Sequence, residues 1–255
     1  MAKSVMAKSV IVLPARLASG RLPEKLLLEE SGKYLLQHTW EAASRAARAS
    51  KVVIACDDAR LLRAAEEFGA EAILTSVDHT SGTDRVAEAA RVLAERGEVF
   101  DLVINVQGDE PELDPGMVDR LAELMEQSQA PMGTLAEPLV PSDLERPHVV
   151  KVVCDRLGRA LYFSRSAIPS PARASGPVPA WRHVGIYAYR PEFLQTFCAL
   201  EPAPLEQIES LEQLRALWHG FSIQVGFLDQ PGKPGIDTRE DYEAFLARLG
   251  QAPGP

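Results

Sequence analysis

Residues 9–25 read SVIVLPARLASGRLPEK, an apolar strand (SVIVL, residues 9–13) that runs directly into a turn-rich segment carrying Arg16, Arg21 and Lys25. A loop of small and turn-forming residues behind a strand exposes backbone N–H groups, and the three cations can converge on the same place. Such a loop is built for a polyanion and points to a nucleoside triphosphate. It also suggests a fold, because in an open α/β sheet ligands sit at the carboxyl ends of the strands.

Outward from this loop the chain alternates. A helix is predicted near 35–49, then a strand KVVIA, a helix DARLLRAAEEFG, a short strand EAIL, a loop TSVDHTSG and a helix from about Thr83 to Arg96. DLVINV (101–106) is almost purely apolar, as a strand buried on both faces should be, and it ends in the polar loop QGDEP. This alternation predicts a mainly parallel sheet with helices on both faces. After a helix at about 114–129 the character changes. Residues 149–163 read as two strands about a turn, 182–189 as another strand, 205–218 as one amphipathic helix and FSIQVGFL as a strand, followed by a last helix TREDYEAFLARLG capped by Thr238. A Pro-rich connection (168–181) reads as a mobile loop and the tail QAPGP as frayed.

With 255 residues, 46% hydrophobic and 25% charged, the chain can bury the core of one domain, or of one domain with a lobe. Its 27 basic against 36 acidic residues leave a formal charge of −9, so neither nucleic acid nor an anionic membrane is an expected partner, and an anion must be held by a local cluster. Cys56, Cys154 and Cys198 lie far apart without CxxC spacing and are expected to be reduced thiols of the core. No apolar stretch approaches the roughly 20 residues a membrane span needs, and no signal-peptide core is present, so a cytoplasmic protein without membrane insertion is expected. MAKSV occurs at 1–5 and again at 6–10, which suggests translation from Met6.

Two further loops carry carboxylates. QGDEP offers Gln107 and Asp109 at a strand's carboxyl end, where a carboxylate facing a triphosphate makes sense with magnesium between them. A turn residue or helix cap is the other reading of Asp109. PGKPGID offers Lys233 and Asp237, and by itself Asp237 before Thr238 reads as a helix start rather than a ligand.

LPARLASGRLPEK, DHTSGTDR, NVQGDEP, LYFSRSAIP, HVGIYAYR, PLEQIESLEQLR and GIDTREDYE occur in that order over nearly the whole chain. Together they resemble the 3-deoxy-manno-octulosonate (KDO) cytidylyltransferases, or CMP-KDO synthetases. The resemblance implies a Rossmann-like nucleotidyltransferase fold of the glycosyltransferase A kind, with a smaller β-rich lobe for sugar binding and dimerisation. It spans residues 6–250 as one nucleotidyltransferase domain, divided into a nucleotide-binding part (about 9–130), the lobe (about 131–225) and a closing strand, loop and helix (226–250), with 251–255 as tail. It further implies a homodimer that uses magnesium, two ions in all, to transfer CMP from CTP to KDO for lipopolysaccharide biosynthesis, releasing pyrophosphate.

Residue by residue, the resemblance places Pro14, Ala15 and Ser19 in the nucleotide loop, with Arg16, Arg21 and Lys25 on the triphosphate, where they would stabilise the departing pyrophosphate. Asp78, Ser81, Gly82 and Gln107 would flank the nucleotide. Asp109 and Asp237 match the metal carboxylates, which reverses the bare reading of Asp237. Arg165 would meet the KDO carboxylate, His183 and Tyr187 its hydroxyls, and Glu212 and Gln213 the remaining contacts. The chain departs from the common pattern at Gly20, at Asp84 and at Glu24, whose carboxylate beside Lys25 is expected to point outward. Its segment between Ile168 and Arg182 is also shorter and richer in Pro and Ala. A cytidylyltransferase for another sugar acid, such as 8-amino-KDO or sialic acid, stays open beside KDO. So does a nucleotide-binding protein that has lost the chemistry, against which the retention of Lys25, Asp109 and Asp237 argues.

Overall fold

Why β1 (Ser9–Ala15) anchors the structure is plain from its burial: all seven residues are buried, as expected of a central parallel strand. Burying Val10, Ile11, Val12 and Leu13 stabilises the fold by about 1.5–3 kcal/mol per side chain. A computed structural model of the chain describes residues 7–173, 175–176 and 180–251. The expected start at Met6, the tail beyond 251 and positions 174 and 177–179 of the Pro-rich connection lie outside the described residues. From β1 the chain continues through α1 (Leu35–Ala43), β2 (Ala49–Cys56), α2 (Ala59–Glu67), β3 (Glu71–Leu74), α3 (Gly82–Glu95), β4 (Leu102–Asn105) and α4 (Pro115–Gln127). There follow β5 (Met132–Pro138), β6 (Lys151–Cys154), β7 (Ala160–Ser164), β8 (Trp181–Tyr189), α5 (Pro191–Ala199), α6 (Pro204–Glu209), α7 (Leu214–Trp218), β9 (Ile223–Phe227) and α8 (Arg239–Gln251).

The chain forms two compact units, one of residues 8–119 and 233–251, the other of residues 7 and 120–232, with the boundary inside α4. In the first unit β3, β2, β1 and β4 lie side by side in that order, all parallel, with Ile11 opposite Val52 on one side and Ile104 on the other. The strand order reverses between β1 and β4, which makes the loops behind these two strands the walls of a crevice. Local chemistry sets the helix starts: Asp58 accepts from Arg60 N (2.8 Å) ahead of α2, and Ser81 from Asp84 N (3.1 Å) ahead of α3. Ahead of α8 the Thr238 hydroxyl accepts from Asp241 N (3.2 Å), while the Asp241 carboxylate accepts from Thr238 N (2.9 Å), a reciprocal cap.

In the second unit β5 pairs antiparallel with β8 and parallel with β9, and β6 pairs antiparallel with both β7 and β8. The mainly parallel α/β arrangement read from the sequence is the one observed. Three details differ. The helix predicted near 35–49 stops at Ala43, since Ala49 and Ser50 are drawn into β2, where the Ser50 hydroxyl donates to Ser9 O (2.8 Å). β5 and α5 were not anticipated. The single helix expected over 205–218 is two short ones, broken at Ser210 in the left-handed region (φ 52).

Candidate active site

Behind β1 and β4, in the first unit, lies a cleft of about 560 Å³. Its lining includes Pro14, Arg16, Ser19, Arg21 and Lys25 from the first loop, Ser81 and Gly82 from the start of α3, Gln107 and Asp109 from the loop after β4, and Asp237. Ala15 and Asp78 stand apart from it: Ala15 is buried in β1 opposite Cys56, and Asp78 is exposed, its N–H donating to Ser76 Oγ (3.1 Å). His79, Thr80 and Arg85, which belong to the DHTSGTDR motif but were given no role from it, line the cleft as well. The two central loops touch closely: a Cβ at Gly108 would meet the Pro14 carbonyl oxygen at 3.0 Å, so any larger residue there would push the first loop's backbone back by a few tenths of an ångström. That carbonyl-bearing turn is fixed from below by α1, where the Thr39 hydroxyl donates to Gly108 O (2.9 Å). The N-terminus of α3 opens on the same cleft and adds its partial positive charge.

The centre of the cleft is a network of opposite charges. Lys25 Nζ donates to Asp109 Oδ2 (2.5 Å), Asp237 Oδ1 (3.1 Å) and Ile236 O (2.8 Å), and its side chain is only 13% exposed. Arg21 reaches the other oxygen of Asp237 (2.9 Å). The turn that carries Asp237 is tied back by its neighbour, Ile236 N donating to Asp109 O (2.9 Å). Glu24 points outward as expected, its carboxylate pairing with Arg60 (2.8 Å). Beside Asp109, burial and the neighbouring carboxylate push the Glu110 carboxyl up to about 8. Two carboxylates converging on one cationic centre are hard oxygen donors of the kind magnesium takes, since that ion uses one or two carboxylates and completes its shell with phosphate oxygens and water. Among the described residues no group of three or more His, Cys, Asp or Glu could hold a metal ion, so this pair would bind one together with a ligand's oxygens.

The remaining predicted residues belong to the second unit. His183 and Tyr187 on β8 face the same way, their ring centroids 5.4 Å apart, although the strand is irregular opposite Thr134 and Leu135. The Thr134 hydroxyl donates to Ile186 O (2.7 Å), so His183 Nε2, 3.0 Å from that hydroxyl, is assigned as donor to it. Burial pushes the imidazole down to about 3, which keeps it neutral, and burial with the Glu212 carboxylate pushes the Tyr187 phenol well above its usual range. Arg165 is engaged with main chain: its guanidinium donates to Glu209 O (2.6 Å), Pro147 O (3.1 Å) and Ser210 O (3.2 Å). Glu209, which sequence reasoning missed, accepts from Arg165 N (2.8 Å) and Ser164 Oγ (2.6 Å). Glu212 and Gln213 sit in the break between α6 and α7, and Gln213, 3% exposed, has no partner for its side-chain Nε2 among the described residues.

Residues 10–223 match the cytidylyltransferase family model. The 3-deoxy-manno-octulosonate cytidylyltransferase of Rhodopirellula baltica is 47% identical over 251 residues, covering 95% of this chain and 98% of the relative. The chain belongs to this family. Another member, from Halorhodospira halophila, is 47% identical over 249 residues, 94% of this chain and 96% of its own. Among solved structures, that of CMP:2-keto-3-deoxy-manno-octonic acid synthetase complexed with CTP superposes with a TM-score of 0.89 at 41% identity, covering 96% of this chain and 99% of the other. A cytidylyltransferase from Leptospira borgpetersenii, at 17% identity and a TM-score of 0.64, shares the fold. Membership of the 3-deoxy-manno-octulosonate cytidylyltransferases fixes the enzyme class as nucleotidyltransferase. No helix among the described residues is long and apolar enough to cross a membrane.

Proposed function

We propose that the chain transfers CMP from CTP to the anomeric 2-hydroxyl of KDO, giving CMP-KDO and pyrophosphate for lipopolysaccharide biosynthesis, as a cytoplasmic homodimer. The observation that carries the reading is the convergence of Arg21, Lys25, Asp109 and Asp237 in one cleft at the strand-order reversal. The identity to KDO cytidylyltransferases supplies the substrates. Pyrophosphate release with CTP and magnesium, measured over a panel of sugar acids, tests it. KDO should exceed sialic acid and 8-amino-KDO in kcat/KM by about tenfold or more. A different acid turned over as well or better overturns the choice of acceptor.

The reaction is an in-line displacement. The sugar's 2-hydroxyl oxygen bonds to the α-phosphorus, the bond from that phosphorus to the bridging oxygen breaks, its electron pair leaves with pyrophosphate, and the hydroxyl proton passes to solvent. Arg16, Arg21 and Lys25 neutralise the charge that grows on the leaving group. Pro14, Ser19, Ser81, Gly82 and Gln107 shape the nucleotide's seat. Asp109 and Asp237 would hold magnesium, which supplies positive charge to the phosphate oxygens and lowers the pKa of a bound hydroxyl. His183 is not the general base, for an imidazole held near 3 is too weak a base to draw a proton from an alcohol.

The sugar acid is assigned to Arg165, His183, Tyr187, Glu212 and Gln213. The buried amide of Gln213 supports this, because a native interior seldom leaves such a donor without an acceptor unless a ligand or water provides one. Arg165→Ala should raise KM for KDO about tenfold or more and leave KM for CTP nearly unchanged, since it removes both a cation and the clasp on the carbonyls of Glu209 and Ser210 beside Glu212 and Gln213. An equal rise for both substrates refutes the assignment.

A further inference from the structure

The two loops that face the cleft from β1 and from β3 are joined by a pair of charged side chains, of which one, Arg85, also lines the cleft. Asp57 follows the last residue of β2 and is absent from the cleft lining. Its Oδ1 accepts from Leu17 N (2.9 Å), in the middle of the first loop. Its Oδ2 stands 3.4 Å from Nη2 of Arg85, a residue of α3 that is 3% exposed. From there Arg85 Nη1 donates to Thr75 Oγ1 (2.6 Å) and Ser76 O (3.2 Å), at the start of the loop that ends in Ser81 and Gly82. One turn further along α3, Glu88 accepts from Ser76 N (2.9 Å) and pairs with His79 Nε2 (2.5 Å). The first loop is thus connected to the second through one carboxylate and one guanidinium.

We propose that Asp57 and Arg85 form a brace that sets the spacing of these two loops, and that Asp57 is a positioning residue for the nucleotide although it never touches it. The inference rests on the reading of the cleft as the CTP site. Donors act most strongly on a developing charge when they are already in place, and loops of Gly, Ser and Ala do not hold themselves in place. A misplacement of about 1 Å can cost about a hundredfold in rate. Arg85 is suited to the task because its planar fork spans several acceptors at once, and Asp57 compensates the charge it carries into the interior.

Asp57→Asn tests the brace, being isosteric and keeping an oxygen for Leu17 N while removing the charge that faces Arg85. Calorimetric titration with CTP alone should show affinity about tenfold weaker, with KM for CTP rising in step and KM for KDO within about twofold of wild type. Arg85→Lys should behave alike, and the double variant should be no worse than the worse single one, because either change already releases the brace. The thermal midpoints of all variants are measured, and binding is read well below them. With its side chain 16% exposed, Asp57 carries the test alone should Arg85→Lys not fold. Equal rises in both KM values, unchanged CTP affinity in a wild-type background that binds CTP, or penalties that multiply in the double variant overturn the brace. A wild-type protein that binds no CTP overturns the reading of the cleft, and the brace's role with it.

Discussion

Asp109→Asn is expected to lower kcat by on the order of a thousandfold while leaving the fold intact. The substitution keeps shape and one oxygen but removes one of the two negative charges, with that of Asp237, that would hold magnesium. Its structural cost should be small. The main-chain bond from Ile236 N to Asp109 O (2.9 Å) survives, the side chain is 25% exposed, and Lys25 retains Asp237 and the Ile236 carbonyl as acceptors. Steady-state rates with CTP, KDO and magnesium, beside a thermal unfolding curve, separate the two consequences. A near-normal rate sinks the carboxylate assignment, and a collapse of the unfolding midpoint would make Asp109 a residue of the scaffold.

How far the sequence could be read depended on the range of the forces involved. The parallel unit was legible because its elements are decided locally: SVIVL and DLVINV are too apolar for a strand with a solvent face, and Asp58, Ser81 and Thr238 cap the helices that follow them. The first loop and QGDEP were legible as a site for the same reason, since each directly follows a buried strand. Asp237 was not. Its place beside Lys25 follows from a turn held across more than a hundred residues of sequence by the bond from Ile236 N to Asp109 O, and only the resemblance to known cytidylyltransferases anticipated it.

The break between α6 and α7 illustrates the other limit. Leu205, Ile208 and Leu211 recur as on one helical face, yet the chain turns at Ser210 and leaves Ile208 79% exposed. The carbonyls of Glu209 and Ser210 are taken by Arg165, and the Glu209 carboxylate is taken by Ser164 Oγ and Arg165 N, all from some forty-five positions away. No periodicity reports a competitor at that distance. β5 was missed for a related reason: Thr134 and Glu137, both buried in it, break its apolar pattern and find partners on other segments, Ile186 O for the one, Gly232 N and the Arg182 guanidinium for the other. Arg85 escaped notice because on a helix an arginine reads as solvated, and only burial among Thr75, Ser76 and Asp57 reveals its work.

Lys25→Met should move two observables in opposite directions. The ammonium lies between Asp109 and Asp237, so it occupies the oxygens that a divalent cation would use. A charge cannot serve carboxylates and phosphate equally, and when the triphosphate and its ion take the cleft, the lysine is expected to turn toward the phosphates. Without it, kcat should fall on the order of a hundredfold to a thousandfold, as when one preorganised donor to a developing charge is removed. Magnesium alone, by contrast, should bind the variant more tightly, because the carboxylates then repel each other with only the Arg21 guanidinium, on Asp237, to offset their charge among the described residues. The rise in unfolding midpoint on adding magnesium without nucleotide reads this directly, since a ligand stabilises by an amount that grows with its affinity for the folded state. A variant that loses turnover but gains no magnesium response would show that Lys25 acts on phosphate alone and that the carboxylate pair is not the cation's seat. A variant that gains the response and keeps its rate would show the reverse, a lysine that merely fills the cation's place.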